Sequence, residues 1–133
     1  MHPDNQNQGR AHYKMAEFET MLSFESILKL RILLKRKRLP HFLVLGTQKG
    51  GTTTLQRIME NHPSLFMPEC KEVQYFTLNN DKPLSWYADH YRNAKWNQKR
   101  GDITPFYLFH PKAAQRIYKV LPKAKLIVLL RNP

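Results

Sequence analysis

The feature that most constrains the fold of this chain is a short apolar run that ends in glycines and is followed at once by threonines. It occupies residues 43–55 and reads LVLGTQKGGTTTL. The order predicts a buried strand, a glycine turn and the start of a helix. Gly46, Gly50 and Gly51 permit torsions and close approaches that a Cβ would prevent. The first N–H groups of such a helix, at the positive end of its dipole, would face an anion. We therefore predict a loop that binds a phosphate or phosphosulfate group; the alternative is a glycine turn with a purely structural role.

The position of Lys49 distinguishes this loop from that of the common nucleotide triphosphatases. Their loop reads G-x-x-x-x-G-K-[ST]. Gly46 and Gly51 keep the glycine spacing, but Thr52 stands where that lysine belongs, and Lys49 precedes the glycine pair. The threonine hydroxyls add hydrogen-bond donors, and one of them can cap the helix. A kinase-like or triphosphatase-like phosphate binder therefore remains the alternative function.

Strands and helices alternate along the rest of the chain. We predict strands over 42–47, 65–67, 71–76 and 125–130, helices over 52–61, 86–91 and 112–121, and a loop over 101–107. Apart from Thr47 and Lys125 at their ends, the first and last strands contain only apolar residues and glycine, which is typical of buried parallel strands. The sequence therefore predicts an α/β fold with a parallel sheet flanked by helices.

The positive charge of the chain is concentrated before the glycine loop. The formal net charge is +12, and six lysines and arginines lie between Lys29 and Arg38. We divide the chain into a polar tail with a basic amphipathic helix (1–40) and a folded domain (41–133). The basic helix predicts weak contact with an anionic membrane, or a solvated arm packed on the domain. A third hypothesis about function is that the chain is a non-catalytic basic fragment that binds anionic polymers. No motif indicates nucleic-acid binding.

The cysteine and histidine content predicts neither a disulfide nor a metal site. Cys70 is the only cysteine, and the histidines lack metal-ligand spacing. Residues 1–20 lack the apolar core of a signal peptide, and the segment 21–34 is too short and too charged to span a bilayer. We therefore expect a cytoplasmic protein.

Three segments resemble the sulfotransferases that use 3′-phosphoadenylyl sulfate (PAPS), in particular the heparan-sulfate type and their bacterial relatives. They are Gly46–Leu55, Lys71–Phe76 followed by Trp86-Tyr87, and Leu126–Pro133. The resemblance implies a fold like that of the P-loop triphosphatases. It implies transfer of a sulfuryl group from PAPS to a hydroxyl or amine of a glycan or small molecule, with adenosine 3′,5′-bisphosphate as product.

The resemblance also implies roles for individual residues. Lys49 would neutralise charge on the leaving phosphate, and Glu72 would be the general base. Arg131 would hold the 3′-phosphate of the cofactor at the position where a triphosphatase often has a magnesium-binding aspartate, so no metal is implied. The 5′ end of the cofactor would contact the loop and the helix start, which are Lys49, Gly50, Gly51, Thr52, Thr53 and Thr54.

Two positions in the second segment leave alternatives open. Glu72 follows Lys71, and the pair could be an ordinary surface ion pair. Gln74 would contact the acceptor and leans toward amine-sulfating relatives, but a solvent-facing glutamine explains it as well.

The chain departs from the family in two ways. Ile103 stands where many relatives have a lysine, so it cannot supply that charge. The chain ends at Pro133, before the serine and the acceptor-binding part that the family has. We therefore expect the N-terminal part of a truncated sulfotransferase domain, with little or no transfer activity of its own.

Overall fold

The computed structural model describes residues 25–29 and 38–132 of the chain. The chain divides into two compact units, residues 1–34 and 35–133. In the first unit residues 25–29 are helical. The rest of the predicted amphipathic helix, and most of the basic stretch that follows it, lie outside the described residues. Within the described ranges we find no helix with the length and apolar character needed to cross a membrane; the cytoplasmic location stays a prediction.

The second unit contains strands and helices in alternation, with one 3₁₀ helix between β3 and α3. In chain order they are β1 (Phe42–Gly46), α1 (Thr52–Glu60), β2 (Leu65–Phe66), α2 (Leu84–Asp89), β3 (Lys99–Ile103), the 3₁₀ helix (Pro105–Leu108), α3 (Ala113–Val120) and β4 (Lys125–Leu129).

The four strands form one sheet in the order β2-β3-β1-β4, and every pair is parallel. Phe42 is opposite Gly101 on β3 and Lys125 on β4. A Cβ at Gly101 would lie 2.2 Å from the ring of Phe42, so the glycine leaves the space that this ring occupies. The predicted parallel α/β sheet is confirmed.

Strand β1 is buried on both faces, as its unbroken apolar sequence predicts. Side chains alternate across a strand, so Leu43 and Leu45 belong to one core cluster while Phe42 and Val44 belong to another. The first cluster holds most of the buried aromatic side chains. The central strand thus anchors the glycine loop that follows it.

Two segments differ from the predictions. Residues 71–76 form no strand, because side chains bond to backbone groups that a strand ladder would use: Asn79 Nδ2 donates to the Val73 carbonyl at 2.9 Å, and the Gln74 N–H donates to Thr104 Oγ1 at 3.5 Å. The predicted loop over 101–107 instead consists of the end of β3 and a 3₁₀ helix.

Strand β4 begins at the predicted residue and ends one residue before the predicted end, but it does not have the predicted burial. Leu126, Ile127 and Val128 are 55%, 37% and 46% exposed. Among the described residues β4 pairs only with β1 and forms the edge of the sheet. Its apolar sequence therefore lies at the surface of the part of the chain described here.

Candidate functional site

The glycine loop connects β1 to α1 with the geometry that an anion site requires. Gly51 caps the helix with a φ of 92°, and the first intrahelical bond runs from the Leu55 N–H to the Gly51 carbonyl at 3.0 Å. No side chain caps this helix, so the threonine cap considered from the sequence is not formed. The N–H groups of the first helical turn have no intrahelical acceptor. They are available to an anionic group at the positive end of the helix dipole.

A cavity of about 900 Å³ lies in front of this helix end. Its volume is in the range of pockets that bind small molecules and cofactors. Six residues that the sequence proposed for the site line it, namely Lys49, Gly51, Thr52, Thr53, Glu72 and Gln74. Gln48, Pro105, Phe106 and Phe109 line it as well, although the sequence did not indicate them. Across the described ranges no group of three or more His, Cys, Asp or Glu side chains is placed to hold a metal ion.

Three proposed site residues do not line this cavity: Gly50, Thr54 and Arg131. Arg131 nevertheless contacts the loop, since its Nη1 donates to the Lys49 carbonyl at 3.1 Å. Gly50 shapes the loop, since its N–H donates to the Thr47 carbonyl at 3.0 Å. The structure thus brings both apolar strand ends, β1 and β4, to the same loop.

Three residues at the cavity have an uncommon backbone conformation. Within the described ranges the non-glycine residues with positive φ are Lys49 at 59°, Glu72 at 56° and Gln74 at 56°. This left-handed region is unfavourable for residues with a Cβ and is adopted mainly where the surrounding structure enforces it. The strained residues are the two proposed catalytic residues and the proposed acceptor contact.

Lys71 is directed toward helix α1 rather than toward Glu72. Its Nζ donates to Thr53 Oγ1 at 3.1 Å. In the described part of the chain the one ion pair joins Lys82 and Asp81. The surface ion pair with Lys71 that the sequence left open for Glu72 is therefore not formed. Glu72 lines the cavity, and no ion pair joins it to another of the described residues.

A buried carboxylate supports the cavity wall behind Gln74. Asp102 is fully buried, and its Oδ2 accepts hydrogen bonds from the hydroxyls of Tyr87 at 2.7 Å and Tyr107 at 3.0 Å. Its Oδ1 accepts from Thr104 Oγ1 at 2.8 Å. Burial raises the pKa of the Asp102 carboxyl, while the three hydrogen bonds oppose that rise.

This network ends at the cavity. Thr104 donates to Asp102 and accepts from the Gln74 N–H at 3.5 Å. The sequence did not identify the network because residues 101–107 read as a loop. A signal was present, since Asp102 and Thr104 are two residues apart and a strand places such residues on one face.

We expect Asp102→Ala to destabilise the domain strongly. Three buried hydroxyls would lose their acceptor, and each orphaned donor costs about 1–3 kcal/mol. Removal of a desolvated charge offsets part of this, so the expected net loss is about 3 kcal/mol in the free energy of unfolding. Urea denaturation at neutral pH measures it. Asp81→Ala is the control, because the Asp81 side chain is 74% exposed and should change stability little. An equal effect of both substitutions would contradict the inferred network.

Because the pKa of Asp102 is raised in the folded state, its contribution to stability depends on pH in a defined direction. The folded state holds the Asp102 proton more tightly than the unfolded state, so this group stabilises most below the ordinary value of 3.8. Its contribution falls as the pH rises from 3.8 through the raised folded pKa, and is constant above that. The difference in unfolding free energy between wild type and Asp102→Asn should therefore change over this window and nowhere above it.

Comparisons with known proteins agree with this geometry. The family model described as "sulfotransferase domain" matches residues 39–133. The membrane-associated sulfotransferase kil1 of Dictyostelium discoideum is 42% identical over 98 residues, which are 71% of this chain and 21% of kil1. Heparan sulfate glucosamine 3-O-sulfotransferase 6 of Mus musculus is 34% identical over 98 residues, which are 74% of this chain and 28% of that protein. The chain thus spans between about a fifth and somewhat more than a quarter of the length of these two relatives.

A solved structure shows the same fold. The crystal structure of a sulfotransferase from Alicyclobacillus acidocaldarius superposes with a TM-score of 0.60 at 28% identity, covering 67% of this chain and 43% of that one. The family match includes the glycine loop, the cavity and the strand that leads to Arg131. The chain belongs to the sulfotransferase family.

Proposed function

We propose that this domain binds PAPS and takes part in sulfuryl transfer to a hydroxyl or amine, most simply on a carbohydrate. The observation that carries the proposal is one cavity lined by the start of α1, which has no side-chain cap, by Lys49 and by Glu72, which forms no ion pair with another described residue. A cation, free backbone donors and a base are the three groups that metal-free sulfuryl transfer needs. The mouse relative is named for a glucosamine of heparan sulfate, which favours a carbohydrate acceptor.

The site residues fit the anionic end of this cofactor. Bound PAPS supplies an activated sulfuryl group attached to a 5′-phosphate. The N–H groups at the start of α1 and the hydroxyls of Thr52 and Thr53 would hold its anionic oxygens. Arg131 donates one hydrogen bond to the Lys49 carbonyl, and its other N–H groups would bind the 3′-phosphate.

Lys49 and Glu72 would carry the chemistry. The Lys49 ammonium would stabilise the negative charge that develops on the phosphate side as the sulfur–oxygen bond breaks. Glu72 would accept the proton of the acceptor hydroxyl or amine while the new bond to sulfur forms. Gln74 would orient the acceptor through its amide, next to the half-exposed rings of Phe106 and Phe109.

The lack of a lysine at position 103 does not leave the loop with a single cation. Ile103 is buried in the second core cluster and cannot face a ligand. Lys71, through its bond to Thr53, places a second ammonium beside the start of α1. In this chain Lys71 would supply part of the positive charge that many relatives obtain from a lysine at the position of Ile103.

Binding calorimetry with the 133-residue chain tests the proposal. We expect adenosine 3′,5′-bisphosphate to bind without magnesium and more tightly than ATP does with magnesium. The reason is that the loop has its cation before the glycine pair, and Arg131 follows β4 where a triphosphatase often has a metal-binding aspartate. Cofactor binding is measured rather than turnover, because the chain spans less than a third of the length of these relatives.

The matched control is Lys112→Ala, since Lys112 is exposed and does not line the cavity. Lys49→Ala should weaken bisphosphate binding at least about tenfold, whereas Lys112→Ala should leave it unchanged. Magnesium-dependent ATP binding in place of bisphosphate binding would favour the kinase-like alternative. Binding of heparin without either nucleotide would favour the non-catalytic basic fragment.

A further inference from the structure

The edge of the sheet opposite the phosphate loop forms a second, positively charged surface. All strands are parallel, so their amino-terminal ends meet at one edge and the loop after β1 lies at the other. A cavity of about 690 Å³ opens at this amino-terminal edge. It lies between the start of β1, the start of β3 and the connection from α3 to β4. We call it, with the neighbouring turn 95–98, the amino-terminal edge.

The charged side chains at this edge are all cationic, and they lie among apolar residues. The cavity is lined by Lys99, Arg100, Lys119, Lys123, Lys125 and His41, and its lining includes no Asp or Glu. The four lysines are exposed. The pKa of His41 is lowered, first by burial and then by the positive charges of Arg100 and Lys99. The edge therefore carries an uncompensated positive field toward solvent.

An exposed tryptophan stands beside these lysines. Trp96 is 96% exposed, the highest value among the exposed large apolar side chains of the described residues. Its turn is fixed: the Lys95 N–H donates to Gln98 Oε1 at 3.0 Å, and Gln98 Nε2 donates to the Leu65 carbonyl at 3.1 Å. Trp96 is thus held near the start of β2, at one end of the edge.

The lysines and the tryptophan share one side of the domain. The strand order is β2-β3-β1-β4, and three interstrand spacings separate β2 from β4, about 14 Å. Trp96 lies near one end of that row and Lys123 and Lys125 at the other. A row of this length is suited to contact with a flat partner and is longer than a pocket for one small anion.

The composition of the edge favours lipid headgroups over sulfated glycans. Sulfate and phosphate groups that are bound individually select the bidentate fork of arginine. Here the solvent-facing cations are lysines, whereas Arg100 uses its Nε on the Leu39 carbonyl at 3.0 Å. Lysines act as point charges on an anionic bilayer, and tryptophan prefers the headgroup region of the membrane.

We propose that the amino-terminal edge docks on an anionic lipid bilayer, with Trp96 inserted at the headgroup level. This surface is distinct from the basic stretch 29–38 and involves different residues. The five-residue strand β1 separates it from the glycine loop by about 16 Å. Docking in this orientation leaves the cavity at Lys49 and Glu72 open toward solvent.

Tryptophan fluorescence tests this placement directly. Trp86→Phe leaves Trp96 as the single tryptophan. Vesicles of phosphatidylcholine with phosphatidylserine should shift its emission to the blue, and vesicles of phosphatidylcholine alone should not. The shift should disappear in high salt, because exposed charges are screened. Contact through residues 29–38 alone would bind vesicles without moving the Trp96 emission, and that result would overturn the proposal.

Paired charge reversals test the lysines. Lys119→Glu with Lys123→Glu should lower the partition onto anionic vesicles by about tenfold or more, since each basic residue near the surface contributes several-fold. The control, Lys82→Glu with Lys112→Glu, makes the same change in net charge outside the edge and should have a much smaller effect. Equal losses in both pairs, or a Trp96 shift with heparin but not with vesicles, would show that the edge is not a lipid surface. Circular dichroism of each variant confirms that the domain is folded.

Discussion

Lys49→Ala is expected to lower the rate of sulfuryl transfer by about a hundredfold to a thousandfold in an active enzyme that carries this segment. The Lys49 side chain lines the cavity beside the start of α1, where the leaving phosphate would gain negative charge. The neighbouring N–H groups would remain, so part of the stabilisation would persist. Single-turnover kinetics with saturating cofactor separate this loss from weaker cofactor binding.

The backbone of Lys49 provides a control that isolates its charge. Its φ is 59°, a conformation that glycine adopts without strain. Lys49→Gly should therefore lose as much rate as Lys49→Ala while being the more stable of the two variants, by up to about 1 kcal/mol. Recovery of transfer in the glycine variant would assign the effect of Lys49→Ala to backbone strain. Full transfer in both variants would remove Lys49 from the mechanism.

The loop could be predicted from the sequence because it depends on local constraints. The apolar run 42–46 must be buried, and the glycines after it allow a tight turn. A helix that starts directly after such a turn presents its N–H groups to the same point. These requirements act within about a dozen residues, so the strand, the loop and α1 lie where the sequence places them.

The wall of the cavity opposite the loop could not be predicted in the same way. The alternation in residues 71–76 favours a strand, but side chains from Asn79 and Thr104 bond the backbone at Val73 and Gln74. These contacts link the segment to residues up to 30 positions away in the chain. Local propensity does not contain them, and they override it.

The burial of β4 is a second case in which local pattern is insufficient. Its apolar sequence predicts a strand correctly, but burial depends on what packs against the sheet. Among the described residues Ile127 on β4 and Leu130 just after it remain 37% and 73% exposed. The sequence pattern thus indicates that β4 is a strand. How many strands pair with it, and what packs on its faces, depends on the assembled sheet.

Backbone strain connects the fold to the proposed chemistry. Lys49 has a positive φ and lies in the loop that Arg131 contacts. Gln74 also has a positive φ, and its N–H is bonded to Thr104 of the Asp102 network. Each such residue costs about 1–3 kcal/mol. The surrounding hydrogen bonds offset this cost and keep Lys49 and Gln74, with their different proposed roles, at one cavity.

Glu72→Gln is expected to lower turnover by about a hundredfold to ten-thousandfold while leaving bisphosphate affinity within about twofold. Glutamine keeps the size of the side chain but cannot accept the proton of the acceptor. Glu72 lines the cavity and is not paired with Lys71, whose ammonium is bonded to Thr53. The loss should therefore appear in the chemical step and not in cofactor binding.

The matched control is Glu69→Gln, which removes an exposed carboxylate from the same segment but outside this cavity. It should leave turnover unchanged. A second readout is the pH profile, because the acidic limb that comes from deprotonation of a general base should be lost in Glu72→Gln. If Glu72→Gln instead weakens bisphosphate binding and melts at a lower temperature, Glu72 acts by holding the strained segment in place. An unchanged acidic limb with normal binding would assign proton removal to a different group.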